Sequence, residues 1–311
     1  MKLRPEDCLP EDAERAILVG RAWVPGDHPG PSPVIIRGAD VVDISDTFPT
    51  MSELLNTESI ESKMDDLNGT KIGVIDSLLE NSVWHSQDKK HPYLLAPVDL
   101  QAVKACGVTF AQSMLERVIE ERAKGDPSAA QGIRNDIQKV IGLNLESIIP
   151  GSSEAEQLKE VLIKKDMWSQ YLEVGIGPDA EVFTKAQPMS VMGIGAQIGI
   201  LEKSEWNNPE PEITLAVNAR GKILGAALGN DVNLRDIEGR SALLLGKAKD
   251  NNASAAIGPF IRLFDENFSL DDVRMAELSL TVRGLDQFTL HGRSSMSKIS
   301  RDVADLVDET I

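Results

Sequence analysis

Residues 210 to 231 read as a β-hairpin with three carboxylates near its open end. In Trp206-Asn207-Asn208-Pro209-Glu210-Pro211-Glu212-Ile213 and the residues after it, Thr214 and Ala216 share the parity of Glu210 and Glu212. Ile213, Leu215 and Val217 take the other parity. A strand alternates with period two, so both glutamates leave the same face. Asn218-Ala219-Arg220-Gly221 supplies turn residues, and Lys222 to Leu228 reads as the returning strand. A symmetric turn centred between Ala219 and Arg220 places Asp231 opposite Asn208, on the face of the glutamates. A bulge at Gly221 would shift that register.

Three ionised carboxylates on one patch raise one another's pKa, and a divalent cation removes the conflict. An all-oxygen donor set without His or Cys suits Mg²⁺, Mn²⁺ or Ca²⁺. Mg²⁺ usually leaves coordination positions for water or substrate, which makes such a site useful for chemistry. A solvent-facing acidic strand explains the same residues without a ligand. Spacing alone leaves both readings open.

The 311 residues suffice for one large domain or two smaller ones. Hydrophobic residues make up 41% and the mean hydropathy is −0.16, enough to build a sizeable core. The net charge of −17 argues against nucleic acid or an anionic membrane surface as partner. No apolar run approaches the ~20 residues that span a bilayer. The first residues, Met1-Lys2-Leu3-Arg4-Pro5-Glu6-Asp7, lead into no apolar stretch of the kind that makes a signal peptide. Cys8 and Cys106 are too few for a disulfide framework, so a reducing cytoplasm is the expected compartment.

Residues 1–92 are expected to form a small N-terminal domain, with strands at Ala16–Val19, Val34–Arg37 and Val41–Ile44, and 93–311 a second, catalytic domain. Periodicity predicts helices over Thr109–Lys124, about Ala129–Leu143 and Ser153–Lys165, together an α-helical insertion. From about Tyr171 strands and glycine-rich turns dominate. Met192-Gly193-Ile194-Gly195-Ala196-Gln197-Ile198-Gly199 has the wrong glycine spacing for a dinucleotide loop. His28, His85 and His91 lack zinc-ligand spacing. Asp302 to Ile311 reads as a helix with Val303, Leu306 and Val307 on one side.

Phe183-Thr184-Lys185, Glu210-x-Glu212, Gly229-Asn230-Asp231-Val232-Asn233-Leu234-Arg235-Asp236, and Lys249 followed by Ile257-Gly258-Pro259 resemble the core of the fumarylacetoacetate hydrolase family. The resemblance covers roughly residues 100 to 300. It is strongest to the branch that dehydrates 2-keto-3-deoxypentonates. That branch resembles the chain at Leu95–Lys104, Ser204–Glu212 and Gly239–Asn252.

The resemblance implies an α+β fold, a β-rich fumarylacetoacetase-type roll with a mixed curved sheet, helical insertion and small N-terminal domain. It implies Mg²⁺, with Mn²⁺ as the other choice, held by Glu210, Glu212 and Asp231. Lys249 matches the family's active-site lysine, as base or enolate stabiliser, its pKa expected to be lowered towards neutrality by burial beside a cation. Glu116 is the second candidate acid/base, and Lys185 a candidate for orienting substrate. Ser113 and Asn230 are candidate substrate contacts. Arg235 is another, unless it pairs with Asp236 or Glu238. The implied substrate is a small 2-keto acid, and the implied assembly a homodimer or homotetramer.

Two departures shape the expected chemistry. The family's hydrolases carry a His where this chain has Ser113, in Phe110-Ala111-Gln112-Ser113-Met114-Leu115-Glu116. Serine without a partner is no base at neutral pH, so water elimination fits better than carbon–carbon hydrolysis. Family members also continue, past the point where this chain stops, into a Thr-Gly-Thr-like loop and further strands. The expected reaction is loss of water from a 2-keto-3-deoxy sugar acid, giving 2-oxoglutarate semialdehyde. The competing expectations are acylpyruvate-type hydrolysis or decarboxylation on the same site, and an inactive scaffold.

Overall fold

The acidic hairpin is one margin of a large antiparallel sheet. The computed structural model describes residues 2–64, 67–107, 109–110, 118–119, 122–123, 131–135 and 148–311. In chain order the strands are β1 (Leu18–Val24), β2 (Gly30–Arg37), β3 (Asp40–Asp43), β4 (Thr70–Val74), β5 (Tyr93–Leu95), β6 (Val103–Gly107), β7 (Glu181–Ala186), β8 (Asn207–Asn208), β9 (Pro211–Val217), β10 (Ile223–Asp231), β11 (Asn233–Leu234), β12 (Ala255–Leu263), β13 (Glu277–Arg283) and β14 (Thr289–Ser295). The large sheet runs β4-β3-β2-β1-β12-β10-β9, and β5 also pairs with β1. Its ladders are antiparallel. An isolated bridge between Met192 and Ala256 is parallel.

The chain separates into two compact units along lines other than 1–92 and 93–311. The first takes Met1–Lys104, Thr184–Val273 and Leu278–Gly292; the second takes Ala105–Phe183, Arg274–Glu277 and Arg293–Ile311. The reason lies in strand pairing. β1 pairs with β12, Leu18 opposite Arg262 and Gly20 opposite Phe260, so the early strands complete a sheet begun by late ones.

The expected strands at 16–19, 34–37 and 41–44 are β1, β2 and β3, and their uninterrupted apolar runs bury both faces. Val19, Ile35 and Val42 pack on one side with Met51, Leu54 and Leu55 of the helix Met51–Leu55. Leu18, Ala22, Val34, Ile36 and Val41 pack on the other with Ile75, Leu78 and Leu79 of the helix Ile75–Asn81. The Met51–Leu55 helix is held at its start by Thr50, whose hydroxyl accepts from Glu53 N, and by buried Asp99, which accepts from Met51 N at 2.6 Å. Ala216, Ala227 and Ile257 extend the first cluster under the acidic hairpin.

The hairpin's register differs from the symmetric expectation. Asn218 pairs with Lys222, its N–H donating to Lys222 O at 3.0 Å, so the loop has three residues and ends on Gly221 at φ 78°. A left-handed third residue is what a three-residue hairpin loop needs. A second irregularity falls between Ile223 and Gly225. Two single-residue offsets restore the original parity. Glu212 therefore faces Gly229, and Asp231 comes opposite Glu210 rather than Asn208, with Asp231 N donating to Glu210 O at 2.9 Å. The shared face survives; the pairing partner does not.

In the second unit the helix Ser153–Lys164 falls where periodicity placed it, capped by Ser152, whose hydroxyl accepts from Ala155 N. Its Ala155 and Leu162 pack with Leu172 and Ile176 of the helix Gln170–Ile176 and with Val118 and Ile119. Buried Arg301 donates to the carbonyls of Val174, Gly177 and Asp179, closing the end of that second helix. Phe110 bridges to Ile299, so the helix predicted from Thr109 does not include these first residues. Farther along, 118–119 and 122–123 are helical; the other residues of 111–124 and most of 129–143 lie outside the described residues, as do Ser113 and Glu116.

Gly225 sits just past the second irregularity, where a Cβ would strike the Arg262 carbonyl oxygen and Leu263 Cα. Gly225→Ala is expected to cost about 1–3 kcal/mol, the usual price of overpacking. Urea unfolding should show a lower midpoint at unchanged slope; an unchanged midpoint would contradict this account of the register.

Candidate metal centre

The hairpin delivers its carboxylates together. Glu210 precedes β9, Glu212 lies within it, and Asp231 ends β10. One carboxylate oxygen from each lies within 4.8 Å of the others. Backbone and side chain both fix Glu210: its N–H donates to Asn230 Oδ1 at 3.0 Å, and its carbonyl accepts from Asp231 N. Asn230 thus serves the metal-site strand through its amide oxygen.

Two lysines close the charge cluster. Lys249 ends the helix Leu245–Lys249, is buried, and donates from Nζ to Glu210 Oε2 and to Asp231 Oδ2, the latter at 2.9 Å. Lys185 on β7 is 2% exposed. Its Nζ donates to Val232 O at 2.9 Å, to Lys249 O, and to Ser254 Oγ at 3.2 Å. It also lies 3.0 Å from Asp231 Oδ1. Four oxygens therefore surround one buried ammonium, and Asp231 Oδ1 is the charged one among them.

A further ring of residues steadies Glu210. β8 and β11 pair with Asn208 opposite Asn233. Asn233, fully buried, donates from Nδ2 to Glu210 Oε1 at 3.1 Å and to Glu238 Oε2 at 2.7 Å. Glu238 in turn pairs with Arg235 Nη1 at 3.0 Å. Glu238 is one of the two partners expected for Arg235. Asp236 accepts from Ser204 Oγ at 2.7 Å.

Burial, reinforced by the charges of Asp231 and Glu210, pushes the Glu212 carboxyl up to about 8, against the opposing pull of Lys249 and Lys185. Burial also lowers Lys185, only partly offset by Asp231. For Lys249 burial acts downward too, but Glu210 and Asp231 together outweigh it and carry the ammonium above the ordinary lysine value. The expected lowering towards neutrality is therefore reversed at Lys249: two carboxylates sit in direct contact with it.

The donors fit a hard divalent cation. They are oxygens only, they converge, and one carboxyl resists ionising until positive charge arrives. Sequence reasoning named the three carboxylates and both lysines but missed Asn233 and Ser254. Asn233 shares the parity of Asp231 two residues on, which was a usable signal. Ser254 carried none, because only the tertiary fold brings it under Lys185. Among the described residues no helix is long and apolar enough to cross a membrane.

Known proteins bear on the fold and the site. No family model matches the chain. It is 32% identical over 153 residues to a probable 2-keto-3-deoxyxylonate dehydratase of Haloferax volcanii, a match covering 49% of this chain and 51% of that protein. The chain thus spans about half the length of this curated relative. A solved 2-keto-3-deoxy-D-arabinonate dehydratase complexed with magnesium and 2,5-dioxopentanoate superposes with a TM-score of 0.61 at 18% identity, over 94% of this chain and 81% of that one. A fumarylacetoacetate hydrolase from Exiguobacterium antarcticum gives 0.50 at 14% identity, over 95% and 81%. The chain has the fumarylacetoacetate hydrolase-type fold.

Without a cation, Glu212 stays protonated in the folded protein between its ordinary value of 4.5 and about 8, where the unfolded chain has lost the proton. The folded state binds more protons in that window, so this group's contribution to stability falls as pH rises through it. Cation binding must expel the proton. Calorimetry at pH 7 in buffers of different ionisation enthalpy should show release approaching about one proton per Mn²⁺, with affinity climbing towards pH 8 and levelling above it. Glu212→Gln should abolish the release. A heat independent of buffer would contradict the protonated Glu212.

Proposed function

We propose that this chain is a metal-dependent dehydratase of 2-keto-3-deoxypentonates, forming 2-oxoglutarate semialdehyde. The observation that carries the reading is the convergence of Glu210, Glu212 and Asp231 beside buried Lys249. The likenesses to dehydratases of such acids, one of them holding magnesium and 2,5-dioxopentanoate, support it. Mg²⁺ is the cation the donors favour, with Mn²⁺ close behind.

Glu210, Glu212 and Asp231 would hold the cation, whose part when bound is to polarise the keto acid as a Lewis acid. Everything else falls to side chains. The elimination takes a proton from C3 and hydroxide from C4. With one proton supplied to the hydroxide, one water leaves, and tautomerisation places the aldehyde at C5. Lys249 Nζ is the ammonium set at the carboxylates and is our candidate to stabilise the charge left when the C3 proton goes. Glu116 is our candidate acid/base, taking the C3 proton and returning one to the departing hydroxide. Arg235 is shared with Glu238, and its fork is our candidate for the substrate carboxylate.

The two sugar names among the relatives describe less difference than they imply. Once C2 is a ketone and C3 a methylene, C4 is the single stereocentre of a pentonate. The D-xylonate and D-arabinonate series then give one compound. Selectivity in this site is a choice at C4, and we propose the D form.

Incubation with Mg²⁺ and 2-keto-3-deoxy-D-pentonate should yield semialdehyde, read by coupled NAD(P)⁺ reduction, with the L form turned over more slowly. Lys249→Met should lower kcat by about 10²-fold or more. Glu212→Gln should leave only background. Turnover surviving in Glu212→Gln would remove the ligand assignment, and absence of product from the D acid would remove the dehydratase reading.

A further inference from the structure

Lys185 is the most deeply buried charge beside the site, and nothing in the elimination uses it. A lysine that touched substrate would need a free proton and an open path. This one is 2% exposed, and its three protons go to Val232 O, Lys249 O and Ser254 Oγ. Those acceptors have a pattern. Val232 directly follows the carboxylate Asp231. Lys249 O belongs to the residue whose side chain grips Glu210 and Asp231. Ser254 precedes β12, and its hydroxyl also lies 2.9 Å from Lys249 O. One ammonium thus joins β7, the end of β10 and the end of the Leu245–Lys249 helix.

The same ammonium is ion-paired with Asp231 Oδ1 at 3.0 Å. A carboxylate oxygen has two lone pairs, so the contact orients Asp231 and still leaves a lone pair for a cation.

We infer that Lys185 is a positioning residue of the cation site: it fixes the direction of the Asp231 carboxylate and pins the backbone from which Lys249 reaches in. It contacts neither substrate nor cation. The inference rests on reading Glu210, Glu212 and Asp231 as a cation site.

Charge and position predict opposite signs, which makes the test decisive. If Lys185 acted only as a neighbouring positive charge, Lys185→Met would tighten a dication. If it positions the ligands, Lys185→Met should weaken Mn²⁺ by roughly 10–100-fold, the usual cost of removing a partner that orients a ligand. Mn²⁺ titration followed by the electron paramagnetic resonance of the free ion measures this without substrate. Unchanged or tighter binding in a folded Lys185→Met, judged by circular dichroism, overturns the inference.

Ser254→Ala provides the second arm should Lys185→Met not fold. It keeps the charge and both backbone bonds but removes the hydroxyl that joins Lys185 Nζ to Lys249 O. Mn²⁺ affinity should drop several-fold, roughly the scale of such partner changes. Affinity equal to the wild type in Ser254→Ala overturns the inference as well. Wild-type protein that binds no Mn²⁺ would remove the cation site itself, a failure distinct from either variant result.

Discussion

Carboxylates that face one another in a partly dry pocket cannot all stay ionised unless positive charge is built in beside them. Glu210, Glu212 and Asp231 meet that constraint with Lys249 and Lys185. The balance is incomplete, three acids against two ammonium groups, and the deficit falls on Glu212, whose carboxyl is pushed up to about 8. A pocket one positive charge short is poised to accept a cation. Fold, register and side-chain bonding all serve to hold that imbalance in place.

The two lysines divide the work. Lys249 meets the carboxylates head-on, and their pull outweighs the burial that would lower it. Lys185 stands behind, its protons turned to backbone and hydroxyl oxygens. Asn233 does for Glu210 what Lys185 does for Asp231. Its amide fills one carboxylate oxygen, Oε1, and the other, Oε2, faces Lys249. Residues orienting ligands in this way usually matter nearly as much as the ligands.

Legibility in the sequence followed locality. The apolar runs at 16–19, 34–37 and 41–44 read as strands because each buries both faces. The Ser153–Lys164 helix read from its period and its serine cap. The shared face of the three carboxylates read from parity, and it survived a mistaken register because two one-residue offsets cancel in parity. The pairing partner of Asp231 was not legible, since a bulge inside a strand leaves no mark in a hydrophobic pattern. The division near residue 92 assumed that neighbours in sequence fold together, while β1 lies beside β12.

The sequence by itself put Glu210 and Glu212 on one side of a strand, because side chains alternate, and it named Asp231 for the same face, which the register keeps because two one-residue offsets cancel. The tertiary structure alone decided what surrounds them. Lys185 lies 46 positions before Asp231, and Ser254 lies 23 after it. No local period links such distant residues. They meet because Lys185 Nζ reaches both Ser254 Oγ and Asp231 Oδ1, contacts that only the folded chain can make.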